Sequence, residues 1–206
     1  MRSWFYVLGI LAASGMAHAQ PALQERLKSV SADPAALKQA VEAGKKASFF
    51  CANCHGEDGI SKSPEVPNLA GQNPAYLLEQ IRKFGSGERK DPFMQGLIKV
   101  LKDDERLQIT LYYAGVSVRP SSADPVQVAR GKGLFDKLCV RCHGEQAHGN
   151  DAYPRLAGQK LPYLQTSIAR YRDQTGVRNN QLMSIATAPL KNEDIVAIAH
   201  YLTQLP

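Results

Sequence analysis

The chain has 206 residues, 44% of them hydrophobic and 21% charged, an ordinary globular balance that excludes a disordered segment. It carries no G-x-y or heptad repeat and few long apolar runs, which excludes collagen, a coiled coil and a multi-pass membrane protein. The formal charge of +6 raises an acidic partner, whether nucleic acid, a membrane surface or another protein, and does not choose among them.

In chain order, residues 1–19 read as a secretory signal: Arg2 gives the positive start, Trp4 to Ala13 the apolar stretch, and Ala17-His18-Ala19 a small-x-small cleavage site before Gln20. The apolar stretch is about 10 residues, half of the roughly 20 needed to span a bilayer, so cleavage is preferred to anchoring. A mature chain starting at Gln20 is expected to be exported and soluble. Residues 20–39 form an N-terminal extension that suggests a helix of unassigned purpose.

Residues 40–118 and 119–206 are expected to be two domains related by duplication. Cys51-Ala52-Asn53-Cys54-His55-Gly56-Glu57 recurs as Cys139-Val140-Arg141-Cys142-His143-Gly144-Glu145 at an offset of 88 residues. Pro67-Asn68-Leu69-Ala70-Gly71-Gln72 recurs as Pro154-Arg155-Leu156-Ala157-Gly158-Gln159 at an offset of 87. Tyr76, Leu77, Ile81 and Phe84 map onto Tyr163, Leu164, Ile168 and Tyr171 and fit one face of a short helix. Met94 maps onto Met183, and Leu101-Lys102 with the stretch after it maps onto Leu190-Lys191 through Tyr201, both at 89. Such an ordered set of features is the signature of a duplicated unit. The boundary falls at Ser117 to Pro125, where Pro120, Ser121, Ser122 and Pro125 interrupt helical periodicity.

The predicted elements are all helical. Ala35 to Phe50 and Pro125 to Leu138 lead into the cysteine motifs, and Asp103 to Tyr113 and Asn192 to Leu202 close each unit, with acidic residues in their first turns where the helix dipole favours them. Met94 and Met183 are expected in loop segments between two helices. No alternating run is long enough for a sheet. The fold class is therefore all-α, and units this small gain from a cofactor that completes the core.

In an exported chain four cysteines first suggest two disulfides, but the spacing argues otherwise. Two thiols three positions apart, followed at once by a histidine, suit the attachment of c-type haem: the thiols add to the vinyl groups and the histidine binds iron from one face. Cys51, Cys54 and His55 would hold one haem and Cys139, Cys142 and His143 a second, giving two covalently attached haem c groups. A thiol redox pair would need a strand-helix unit that is not seen, and a zinc site would have to pool ligands from both copies. For the second axial position, cysteine is used up, and the mature chain has two methionines, Met94 and Met183, at equivalent positions. A lone methionine is more often a gap-filler in a core; the pairing favours iron ligation at both. His148 and His200 have no histidine counterpart in the first copy and read as ordinary residues. Pro67 and Pro154 are placed to offer backbone carbonyls to the axial histidines, though prolines there also serve as plain turn residues.

These residues resemble class I cytochromes c, and the duplicated form is similar to the dihaem cytochrome c4 family. The resemblance covers Ala40 to the C-terminus and rests on C-A-N-C-H-G and C-V-R-C-H-G, the two L-A-G-Q segments, the stretches ending at Met94 and Met183, and the closing helices. It implies two tandem class I cytochrome c domains whose haem edges lie near each other, with Met94 and Met183 as sixth ligands. It also implies a periplasmic carrier taking electrons from a respiratory complex or dehydrogenase to a terminal oxidase. The extension 20–39 is longer than the family pattern leads one to expect.

The main reading is thus an electron carrier with no catalytic residues, since His/Met ligation fills both axial positions. The alternative is the dihaem cytochrome subunit of a larger flavoprotein or molybdenum dehydrogenase, with 20–39 as a docking element. A dihaem peroxidase or thiosulfate-oxidising enzyme would need one open iron, against which the matching methionines argue. Nucleic acid is not an expected partner, because the basic residues are scattered and no base-stacking platform is evident. Peripheral membrane association and the choice of monomer or homodimer stay open. Residues 20–118 hold 13 basic and 12 acidic residues, whereas 119–206 hold 11 and 7, so the basicity belongs to the second half, which is expected to face the more acidic redox partner.

Overall fold

The computed structural model describes residues 15–206, with side chains from Ala22 onward. The apolar stretch Trp4 to Ala13 of the expected signal lies outside the described residues. Helix α1 (Gly15–Ala32) precedes two runs of five helices: α2 (Pro34–Ala47), α3 (Phe49–His55), α4 (Pro74–Ser86), α5 (Pro92–Lys99) and α6 (Asp103–Ala114), then α7 (Pro125–Leu138), α8 (Val140–His143), α9 (Leu161–Arg172), α10 (Gln181–Thr187) and α11 (Asn192–Thr203). No strand occurs among the described residues, so the fold is all-α. No helix among them is long and apolar enough to cross a membrane.

Local chemistry sets most helix starts. Proline stands in the first turn of α2, α4, α5, α7 and α9, where its missing N–H costs no hydrogen bond. Asp33 and Asp124 cap α2 and α7 by accepting from Ala35 N and Val126 N. At the closing helices Glu105 Oε2 accepts from Lys102 N at 2.8 Å and Asp194 Oδ2 from Lys191 N at 2.9 Å, the back half of a capping box.

Each half is built on a crossing of its first and last helices, α2 with α6 and α7 with α11. The crossings use glycine for close approach: a Cβ on Gly44 would stand 2.0 Å from Gln108 O, and one on Gly131 2.0 Å from Ala197 O. Around the second crossing Phe135, Ile198, Tyr201 and Leu202 make the larger core. In the first half Leu77, Ile109 and Tyr113 pack beside Cys51, and a separate cluster joins Leu27 of α1 to Leu78, Leu107 and Leu111. The N-terminal extension is therefore helical up to Ala32, and it covers an apolar face of the first half.

Two expectations are corrected. The helix expected over Ala35 to Phe50 is broken at Ser48 (φ −79, ψ 5), whose hydroxyl donates to Lys45 O at 2.9 Å; Phe49 and Phe50 belong to α3 with the first cysteine motif. Met94 and Met183 are not in loops but in the first turns of α5 and α10. Asp91 Oδ1 accepts from Met94 N and Asn180 Oδ1 from Met183 N, both at 3.0 Å, and these caps turn the expected loops into short helices.

The linker is packed between the halves. Val118 lies over Gly71 (φ +62) and Gly158 (φ +70), and a Cβ there would meet its side chain at 2.4 and 2.2 Å. Only glycine takes that left-handed backbone while leaving room for the valine.

Candidate functional site

The cysteine motifs sit on α3 and at the start of α8, with all four thiols unpaired; Cys54 is exposed and the others are half-buried. Burial pushes the Cys51 thiol up and takes Cys139 to about 11, so both are held protonated. The helical turns bring His55 and His143 inward to 7% and 4% exposure. His55 Nδ1 lies 2.9 Å from Pro67 O and His143 Nδ1 3.1 Å from Pro154 O. A carbonyl only accepts, so Nδ1 carries the proton in each ring and Nε2 presents its lone pair. Burial lowers the proton affinity of both rings, outweighing the carbonyls, which keeps the imidazoles neutral.

Met94 and Met183 are half-buried at matching positions, each next to an exposed apolar side chain, Phe93 at 67% and Leu182 at 61%. His148 Nε2 pairs with Pro206 O at 3.0 Å, and His200 Nδ1 accepts from Asp124 N at 3.2 Å; neither contact involves a motif residue.

Sequence reasoning missed a cationic cluster where the halves meet. Arg89 of the first half donates to the Tyr163 hydroxyl of the second at 3.1 Å. Arg178, 8% exposed, donates to the same hydroxyl and lies over the rings of Tyr163 and Tyr171 at 5.4 and 5.8 Å. Lys90 N donates to Val177 O at 3.0 Å, tying the two arginine loops together. Burial pushes the Tyr163 hydroxyl up, but the charges of Arg178 and Arg89 outweigh it and hold it below the usual phenol range. No salt bridge of Arg178 to a carboxylate is found among the described residues. A buried guanidinium in that state calls for an anion. Arg89 and Arg178 stand at the same 89-residue offset as the methionines, a signal that was available in the sequence.

The halves are further joined by exchanged side-chain to backbone bonds. Gln72 Oε1 accepts from Arg155 N at 2.7 Å while its Nε2 donates to Arg155 O at 2.8 Å. In the reverse direction Gln159 Oε1 accepts from Asn68 N at 2.8 Å and its Nε2 donates to Asn68 O at 2.9 Å. Asn73 Nδ2 adds donation to the carbonyls of His148, Asn150 and Tyr153 at 3.0, 2.9 and 3.0 Å.

Two unpaired cysteines beside a buried histidine in each half, and a buried guanidinium where the halves meet, fit covalently attached haem with its carboxylates. Two successive five-helix units, each with a cysteine pair followed by a buried histidine, define a tandem of class I c-type cytochrome domains.

The comparisons agree. A family model described as cytochrome c matches residues 128–206. Cytochrome c4 of Pseudomonas aeruginosa is 33% identical over 79% of this chain and 87% of that protein. The crystal structure of reduced recombinant cytochrome c4 from Pseudomonas stutzeri superposes with a TM-score of 0.75 at 31% identity, covering 81% of this chain and 98% of that one. The thiosulfate dehydrogenase electron acceptor of Stutzerimonas stutzeri is 29% identical over 75% of this chain and 78% of that protein. The chain belongs to the cytochrome c4 family. It is a dihaem electron-transfer cytochrome with covalently bound haem c.

Proposed function

We propose that Cys51 and Cys54 attach the first haem and Cys139 and Cys142 the second, that His55 and His143 are the proximal iron ligands, and that Met94 and Met183 complete the coordination. The observation that carries this reading is the pair of buried histidines whose Nδ1–H is engaged by Pro67 O and Pro154 O, which leaves Nε2 as the ligating atom and fixes the ring plane. Bound haem supplies a one-electron iron couple. The protein's part is to hold each ring in one tautomer, to keep it neutral by burial, and to offer Arg89 and Arg178 to the haem carboxylates. With His55 and Met94 holding one iron and His143 and Met183 the other, no open site would remain for a substrate, and the protein would work as a carrier and not as an enzyme.

The chain divides in this reading into domains 40–118 and 119–206 after a signal peptide 1–19, and works in the periplasm between an upstream respiratory complex or dehydrogenase and a downstream terminal oxidase. The likeness to an electron acceptor of a thiosulfate dehydrogenase favours a second reading, in which this chain serves one dehydrogenase as its dedicated cytochrome. Purification from the native source separates the two: a stoichiometric dehydrogenase chain that comigrates supports the second, and a free cytochrome supports the first.

The ligand assignment is tested by Met94→Ala and Met183→Ala in the haem-loaded protein. Each variant should lower the potential of one haem, abolish its sulfur-to-iron absorption and admit carbon monoxide to the reduced iron. A variant with unchanged spectrum and potential refutes the assignment at that haem.

A further inference from the structure

The glutamine exchange reaches further than holding the halves together. The Asn68 N–H that Gln159 accepts belongs to the same peptide group as the Pro67 carbonyl that receives His55 Nδ1–H. The Arg155 N–H accepted by Gln72 shares its peptide group with the Pro154 carbonyl facing His143. A continuous chain of hydrogen bonds thus runs from each histidine, through one peptide group, to a side chain of the other half. Gln72 and Gln159 are both 7% exposed, and each grips its target residue by N–H and C=O together, on the peptide groups before and after it, so that residue cannot shift without breaking two bonds.

We propose that Gln159 is a positioning residue for His55 and Gln72 one for His143, so that each half sets the ligand strength of the other half's haem. The inference rests on the reading of His55 and His143 as iron ligands. A bond accepted from a peptide N–H polarises that peptide, its carbonyl oxygen becomes a better acceptor, and the bond from the imidazole tightens. A more strongly bonded Nδ1–H makes Nε2 the more basic donor, which favours oxidised iron. Loss of the clamp therefore raises the potential, and raises it at the haem across the interface.

The crossed pattern is what separates this role from plain structural support. Gln159→Met keeps the length of the side chain and removes both hydrogen bonds; in a redox titration of the haem-loaded protein it should move the first haem to higher potential and leave the second in place. Gln72→Met should do the reverse. Haems are assigned by which component loses its sulfur-to-iron absorption in Met94→Ala and in Met183→Ala. A shift confined to the haem of the substituted half, an equal shift of both, or no shift overturns the proposal. Should the glutamine variants fail to take up haem, amide hydrogen exchange of the unsubstituted reduced protein decides: the Asn68 and Arg155 N–H groups should be strongly protected, and rapid exchange at either refutes its clamp. Hyperfine-shifted histidine ring protons at both irons of the oxidised protein test the ligation reading by itself. With those present, a missing crossed shift counts against the clamp alone, and without them the ligation reading fails.

Discussion

Alanine at Gly131 puts a number on the packing of the second half. The added Cβ would stand 2.0 Å from Ala197 O and 2.5 Å from its carbonyl carbon, where ordinary contact begins near 3.4 Å. Both obstacles are helix backbone, so no rotamer change relieves them, and α7 and α11 must part by about 1.4 Å. Overpacking of this kind costs about 1–3 kcal/mol, and with backbone on both sides the upper figure applies. Against it, alanine gains about 1 kcal/mol over glycine in a helix interior. The net loss is about 2 kcal/mol, which for a unit of this size lowers Tm by roughly 8–16 °C. Far-ultraviolet circular dichroism of the haem-loaded protein follows the melt, with Gly133→Ala as the control. Gly133 lies on the same helix with nothing within 4 Å of its added Cβ, so there only the helix gain operates. A Gly131→Ala protein that melts at or above the parent, or glycine variants that shift together, refutes the account of the crossing.

Two further predictions concern stability. Leu27→Ala removes the side chain that seats α1, 3% exposed against Leu78, Leu107 and Leu111; a loss of about 2–5 kcal/mol is expected in urea titrations of the first half, and an unchanged midpoint would show that α1 adds nothing. Asp194→Asn weakens the cap on Lys191 N and the pairing with Arg130, at about 1 kcal/mol. The N–H of Lys191, and after it the Arg130 guanidinium, holds the Asp194 carboxyl below the usual carboxylate range. Because the folded-state value lies below the unfolded one, that stability is present above about pH 4 and drains away as pH falls further. The gap between parent and variant should thus be full at pH 7 and shrink towards pH 2.5; a gap of constant width contradicts the linkage.

What could be read from the sequence was what is local. The cysteine motifs, the second leading helix and the closing helices are carried by spacing and periodicity within one stretch of chain. The short helices bearing Met94 and Met183 look like loops in the sequence because their periodicity is too brief to register, and their caps, Asp91 and Asn180, mark a helix start only once the backbone turns. The break at Ser48 was missed for a related reason, since nothing apolar changes across it. The Pro67 and Pro154 carbonyls were anticipated as histidine partners because they lie close in sequence. The Arg89 to Tyr163 contact and the glutamine exchange join residues 74 to 91 positions apart; the matching offset of Arg89 and Arg178 marks the two arginines in the sequence, but not the partners they meet. The L-A-G-Q repeats were visible as a duplication, while the use of their last residue was not.

The exchange between Gln72 and Arg155 and between Gln159 and Asn68 has a two-fold form. Residue i of one unit meets residue j of the other, and j meets i, which is how two identical subunits touch across a two-fold axis. Both targets are main-chain atoms, so the exchange makes no demand on the unlike side chains of Asn68 and Arg155, whereas it depends on both glutamines. A contact of this kind does not need a tether to form. The linker adds to that contact by seating Val118 on Gly71 and Gly158, one glycine from each half.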